Sequence, residues 1–121
     1  MSDVSPGVRK VSVASAEHYT WGGRCDGWHL VKHPELSVIR EAMPPGSAEV
    51  RHLHRRARQF FLVLSGVAAL EAGGTEVGLR AGEGLQVEPG VAHQMFNRST
   101  EPLELLVVSQ PHSHGDREVV G

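Results

Sequence analysis

The chain holds a single cysteine, Cys25, so no disulfide can form within it. Its first residues, MSDVSPGVRK, lack the basic stretch and apolar core of a secretory leader. The longest apolar runs, such as FFLVL at 60–64, fall far short of the roughly eighteen residues a membrane-spanning helix needs. A reducing, cytoplasmic setting without a membrane partner is the expectation. Neither sign of charge is in excess: 12 Lys and Arg stand against 14 Asp and Glu, for a net charge of −2. That balance provides no basic field to recommend nucleic acid as a partner. Apolar residues spaced for one face of a helix are missing as well.

Glycine (14), proline (7) and histidine (8) are abundant, against only six aromatics. Short apolar or β-branched runs recur roughly every eight to twelve residues, each closed by turn residues. They occupy 36–43, 48–54, 59–65, 67–72, 76–80, 85–88, 92–97 and 103–109. Eight strands with tight connections predict an all-β sandwich or small barrel forming one domain. Upstream, VSVAS at 11–15 reads as an edge strand and WGGRCDGW at 21–28 as an irregular loop whose aromatics cap the barrel mouth. Residues 1–35 then form a capping strand and loop, 36–110 the barrel, and 111–121 a polar tail that includes a second His-x-His pair, His112 and His114.

The stretch RHLHRRARQFF, residues 51–61, sets the most polar run against the most apolar one. Alternate strand residues share a face, so His52 and His54 point the same way. With RRAR at 55–58 as a hairpin loop, Gln59 stands opposite His54 and joins them. The arginines read as a solvated tip rather than an anion patch. Imidazoles gathered in an apolar interior are costly unless hydrogen-bonded or bound to a cation, and they suit Zn, Ni, Cu and Fe. A further histidine, His93, opens a strand after the Pro89-Gly90 turn. By the two-residue period, Phe61 lies on the face of Gln59 and Met95 on that of His93. Arg40 and Trp28 are further candidates for a substrate pocket. Cys25 reads as an ordinary thiol, with no base beside it.

Two motifs give the chain a relative. The first is Gly46, five residues, His52-Leu53-His54, four residues, Gln59, six residues, Gly66. The second is Gly82, five residues, Glu88-Pro89-Gly90, two residues, His93, three residues, Asn97. Both resemble the paired motifs of the cupin superfamily, with Gln59 replacing the usual glutamate and Glu88 a proline. The resemblance implies a double-stranded β-helix, or jelly-roll barrel, usually homodimeric, with a divalent metal (Zn, Ni, Fe, Mn or Cu) held by three His and one Glu. Carried over, the ligands are His52, His54 and His93, with Gln59 in the acidic position. A neutral amide donates more weakly than a carboxylate, which predicts looser binding and a more Lewis-acidic cation.

Three functions stay open at this stage. One is a small metal-dependent enzyme of the dioxygenase, isomerase, cyclase or lyase type acting on an oxygen-rich or carbonyl compound. Another is a sensor barrel that binds a sugar or small acid without changing it. The last is a dimeric scaffold whose site has been lost. No residue stands out in the sequence as a general base.

Overall fold

The computed structural model describes residues 2–113 and 115–121, and side chains from residue 5 onward. His114 of the His112/His114 pair lies outside the described residues. Among the described residues thirteen strands are present: β1 (Ser2–Ser5), β2 (Val8–Lys10), β3 (Glu17–Trp21), β4 (Cys25–His33), β5 (Leu36–Met43), β6 (His52–His54), β7 (Arg58–Ser65), β8 (Val67–Ala72), β9 (Thr75–Arg80), β10 (Gly84–Val87), β11 (His93–Phe96), β12 (Leu103–Gln110) and β13 (Arg117–Val119). β1 and β2 form a separate two-stranded ribbon. The others build two antiparallel sheets, ordered β10-β7-β12-β5-β4-β3 and β13-β6-β11-β8-β9. Among the described residues no helix is long and apolar enough to cross a membrane.

Period-two alternation drives the assembly. In β12, Leu103, Leu105, Val107 and Ser109 turn inward and are buried, while the residues between them are only partly covered. Val63 and Phe61 of β7 face them from the neighbouring strand, and Leu70 and Met95 supply the opposite sheet. Val63, Leu70, Leu103 and Leu105 are each 0% exposed, so truncation of any one opens a cavity rather than a surface dent. Gly66 lies between β7 and β8, which belong to different sheets. Its φ is +87°, and a Cβ there would stand 2.4 Å from the Pro102 carbonyl oxygen, so the motif position demands glycine.

The eight strands read from sequence are all present, within a few residues. Three upstream and downstream readings are corrected. Residues 11–15 form a turn instead of a strand: Ser15 Oγ accepts the Ser12 N–H at 3.1 Å, a local bond that competes with sheet pairing. Residues 21–28 are not an irregular loop. Gly22 to Arg24 is a tight turn, and the flanking β3 and β4 extend the larger sheet, with Cys25, Gly27 and His29 buried in alternation. The C-terminal segment is likewise structured, since β13 pairs with β6 through Arg117 opposite His54 and Val119 opposite His52.

The β6–β7 connection is corrected too. It is not a hairpin, and His54 and Gln59 are not cross-strand partners. His54 pairs with Arg117, whereas Gln59 pairs with Val87 and Ser109 in the other sheet. The cause is Asp116, whose carboxylate accepts the backbone N–H groups of Arg55 (3.0 Å), Arg56 (2.9 Å) and Ala57 (2.9 Å). Burial works to raise the Asp116 pKa, but these three donors outweigh it and hold the carboxyl below its ordinary value. The loop therefore steps across from one sheet to the other. Two of its arginines find acidic partners on the surface, Arg55 with Glu118 and Arg58 with Glu88.

Candidate metal centre and cavity

His52 and His54 lie on the inner face of β6, and His93 at the start of β11 stands directly opposite His52. The rings come together at centroid separations of 4.5 Å (His52 and His93), 4.9 Å (His52 and His54) and 6.0 Å (His54 and His93). One nitrogen from each lies within 4.8 Å of the others, a group that could hold a metal ion. All three are buried, at 5%, 6% and 1% exposure.

Two rings are fixed by their backbone surroundings. His52 Nδ1 donates to the Val50 carbonyl at 2.7 Å, and His93 Nδ1 donates to the Val91 carbonyl at 3.0 Å. The same i to i−2 bond on both strands sets the tautomer and leaves Nε2 as the lone-pair nitrogen. His93 Nε2 is buried with no hydrogen-bond partner, as is His54 Nδ1. Unpaired buried nitrogens are costly, and a cation is the partner that would satisfy several at once. Burial pushes His52 and His54 down to about 4, helped by repulsion from His93 and Arg117, so the imidazoles are neutral and ready to ligate at neutral pH. His93 is lowered for the same leading reason, burial. The donor set fits a divalent ion of the imidazole-preferring kind.

The imidazoles of β6 open onto a cavity of about 260 Å³ between the two sheets. Gln59 and Phe61 line it from β7, and the Phe61 ring lies 5.6 Å from that of His93. Gln59 is 5% exposed. Its Nε2 donates to Ser109 Oγ at 3.0 Å, while its Oε1 is buried without a partner. Met95 shares the inward face of His93 but packs into the apolar core, away from the cavity lining.

Two candidate pocket residues are placed elsewhere. Arg40 falls on the outer face of β5, between the inward Ile39 and the cavity-lining Glu41, and its Nη2 donates to Glu104 Oε1 of the adjacent strand at 2.8 Å. Trp28 is on the outer face of β4, its ring 5.3 Å from that of His18. Both follow from strand parity: Cys25, Gly27 and His29 take the inner face of β4, which leaves Trp28 outside.

Four further side chains line the cavity that sequence reasoning did not place there. Tyr19 of β3, Glu41 of β5, Glu49 of the segment before β6, and Arg117 of β13 all line the cavity. Burial raises the Glu41 carboxyl to about 7 and, with a contribution from the neighbouring Glu41 charge, Glu49 to about 8. Burial also lifts the Tyr19 hydroxyl well above its ordinary value. Cys25 is wholly buried in the core, and burial pushes its thiol up, which disfavours the thiolate. Glu41 belongs to a strand recognised in the sequence, and its inward parity relative to Ile39 was the available signal. Asp116 offered none, because its partners are some sixty residues away in the chain.

The family described as "Cupin domain" matches residues 39–109, more than half of the chain. No curated protein matches it in sequence. Among solved structures, it is similar to an uncharacterized conserved protein with a double-stranded beta-helix domain from Klebsiella pneumoniae (23% identity, 93% of this chain and 97% of that one, TM-score 0.78). It is also similar to a predicted oxalate decarboxylase from Thermotoga maritima (21% identity, 86% and 100%, TM-score 0.79). A third likeness is to a sugar phosphate isomerase from a cupin superfamily from Silicibacter pomeroyi (21% identity, 86% of this chain and 76% of that one, TM-score 0.74). These identities speak to fold alone. With two antiparallel sheets, both histidine motifs on neighbouring paired strands and the domain match spanning β5 to β12, the chain belongs to the cupin family.

Proposed function

We propose that the protein is a small metal-dependent enzyme of the isomerase or lyase kind, acting on a compact oxygen-rich or carbonyl compound. The observation that carries this reading is the buried trio His52, His54 and His93, with two ring nitrogens unpartnered, beside a cavity large enough for a small molecule. His52, His54 and His93 would hold the cation, and the unpaired Gln59 Oε1 is available as a fourth, weaker donor from the opposite sheet. Bound there, the ion would supply Lewis acidity toward a carbonyl oxygen. Phe61 and Trp21 exclude water from one side of the cavity, and Arg117 offers a cationic group to an anionic substrate. The names of two structural neighbours, a predicted oxalate decarboxylase and a sugar phosphate isomerase, fit a substrate of this size and polarity.

Binding without turnover is the second reading, and it is favoured by the amide at Gln59. It predicts a ligand that stabilises the protein and is recovered chemically unchanged. The deciding experiment is turnover of carbonyl substrates by untagged protein loaded with Fe, Mn, Ni or Zn. Equal activity from a His52→Ala, His54→Ala double variant would sink the enzyme reading.

We place the protein in the cytoplasm, on its solitary buried cysteine. We take the working form to be a homodimer joined through the outer face of the larger sheet. Phe60 is 40% exposed there, beside the half-buried Leu62, Leu106 and Val108. Sedimentation of Phe60→Glu protein should then show monomer where the wild type shows dimer.

A further inference from the structure

We propose that Glu41, held by a Tyr19 side chain lying across Gly27, moves the proton to and from a carbonyl substrate in this cavity. The proposal rests on the enzyme reading above. Tyr19, Gly27 and Glu41 occupy one rung of three adjacent strands, Tyr19 opposite Gly27 and Gly27 opposite Glu41. A Cβ on Gly27 would stand 2.3 Å from Tyr19 Cζ and 2.6 Å from its hydroxyl oxygen. The tyrosine ring therefore fills the space where the middle residue's side chain would be. That lets its hydroxyl reach the Glu41 carboxylate, which accepts its hydrogen bond. A glycine inside a sheet strand weakens the strand, and here it makes room for that bond.

Among the cavity carboxylates Glu41 is the uncommitted one. Glu49 Oε1 accepts the Met95 N–H at 2.9 Å, which ties the segment before β6 to β11. Among the described residues Glu41 has no ion pair and no backbone donor, and no carboxylate joins the three imidazoles at ligand spacing. Glu41 is thus within the cavity without being consumed by the metal trio. Tyr19 from β3, Arg117 from β13 and Glu49 from the segment before β6 act on it directly, and His52 and His54 from β6 are the other titratable groups lining the same cavity. Burial raises its pKa to about 7, while Tyr19 and Arg117 pull it back from a higher value. A carboxyl balanced near neutrality both accepts and returns protons efficiently.

In the step itself, the Glu41 carboxylate takes the proton from the carbon beside the substrate carbonyl. The C–H electron pair moves toward the carbonyl oxygen, giving an enolate. The carboxylic acid then returns a proton to carbon and the charge collapses back. No oxidant or second reactant is needed, and in D2O the carboxyl exchanges with solvent, so deuterium enters the substrate.

The test uses metal-loaded full-length protein with hydroxyacetone and with pyruvate as probes, followed by proton NMR in D2O. Wild type should wash deuterium into at least one probe, and Glu41→Gln should slow it by about 100-fold or more while still folding cooperatively, as its melting curve reads. Tyr19→Phe removes a bond that stabilises the charged carboxylate, so it should move the pH midpoint of exchange upward, a change a purely structural tyrosine would not make. Exchange by Glu41→Gln within a few-fold of wild type overturns the proposal, as does a wild type that binds a probe yet exchanges neither. A His52→Ala, His54→Ala variant that exchanges as fast as wild type would instead overturn the metal reading while leaving Glu41 in place.

Discussion

The two walls of the cavity are built on different principles. The smaller sheet contributes His52, His54 and His93, brought together by spacing along β6 and by one cross-strand pair. The larger sheet contributes Gln59 from β7 and, on a different rung, Glu41 and Tyr19 aligned by register across β5, β4 and β3, with Gly27 as the gap that lets those two meet. One wall is made of neutral donors with unpaired nitrogens, the other of an amide, a carboxyl that burial raises to about 7 and a hydroxyl that burial lifts well above its ordinary value. A metal site needs only a local cluster, whereas a proton-handling site needs groups tuned by their neighbours. The difference is one of chemistry as well as of geometry.

The largest effect should come from emptying the first wall. The His52→Ala, His54→Ala variant leaves one imidazole and is expected to lose its bound metal almost entirely, as read by elemental analysis of untagged protein. Next comes the bond that holds the two walls together. Asp116→Ala strips three buried or half-buried N–H groups of a charged acceptor, which should cost about 2 to 3 kcal/mol in urea unfolding and weaken metal retention by loosening β6.

The walls should also respond oppositely to pH. In metal-free protein His52 and His54 resist protonation down to about 4, while in the unfolded chain they protonate near 6.5. The unfolded state then binds more protons, so their contribution falls as pH drops from about 6.5 to 4. Glu41 and Glu49 have ordinary values of 4.5 and folded values of about 7 and 8, so the folded state binds more protons. Their contribution falls as pH rises through that window. The two slopes oppose each other below pH 6.5, and above it the glutamates act alone. Unfolding free energy should therefore decline from pH 6.5 to 8, and Glu41→Gln should flatten part of that decline. The smallest effect is expected outside: Arg40→Met removes a half-exposed pair with Glu104 and should change stability by less than about 1 kcal/mol and turnover hardly at all.

The first wall was legible in the sequence because its information is local. His52 and His54 are two residues apart, His93 follows a Pro-Gly turn, and the glycine spacings announce the motif. The strands were legible for the same reason, since alternation in LELLVVS or QFFLVLS needs no partner to be seen. The convergence of Gln59 with the histidines was anticipated, but by a hairpin that does not exist. The two sheets face each other, so inward residues meet across the interior even though 54 and 59 are unpaired. Glu41, Tyr19 and Asp116 were not legible, because each acquires its role from residues in other strands. Arg40 and Trp28 were misplaced by one residue of parity, the error to which a period of two is most sensitive.

β6 carries two of the three imidazoles, and both of its sheet neighbours, β11 and β13, follow it in the chain. During synthesis the ribosome will have released His52 and His54 long before residue 119 emerges to complete the pairing. Until then the strand is an open edge with its imidazoles uncovered, the stage at which a nascent chain is most exposed to stray cations and to edge-to-edge association.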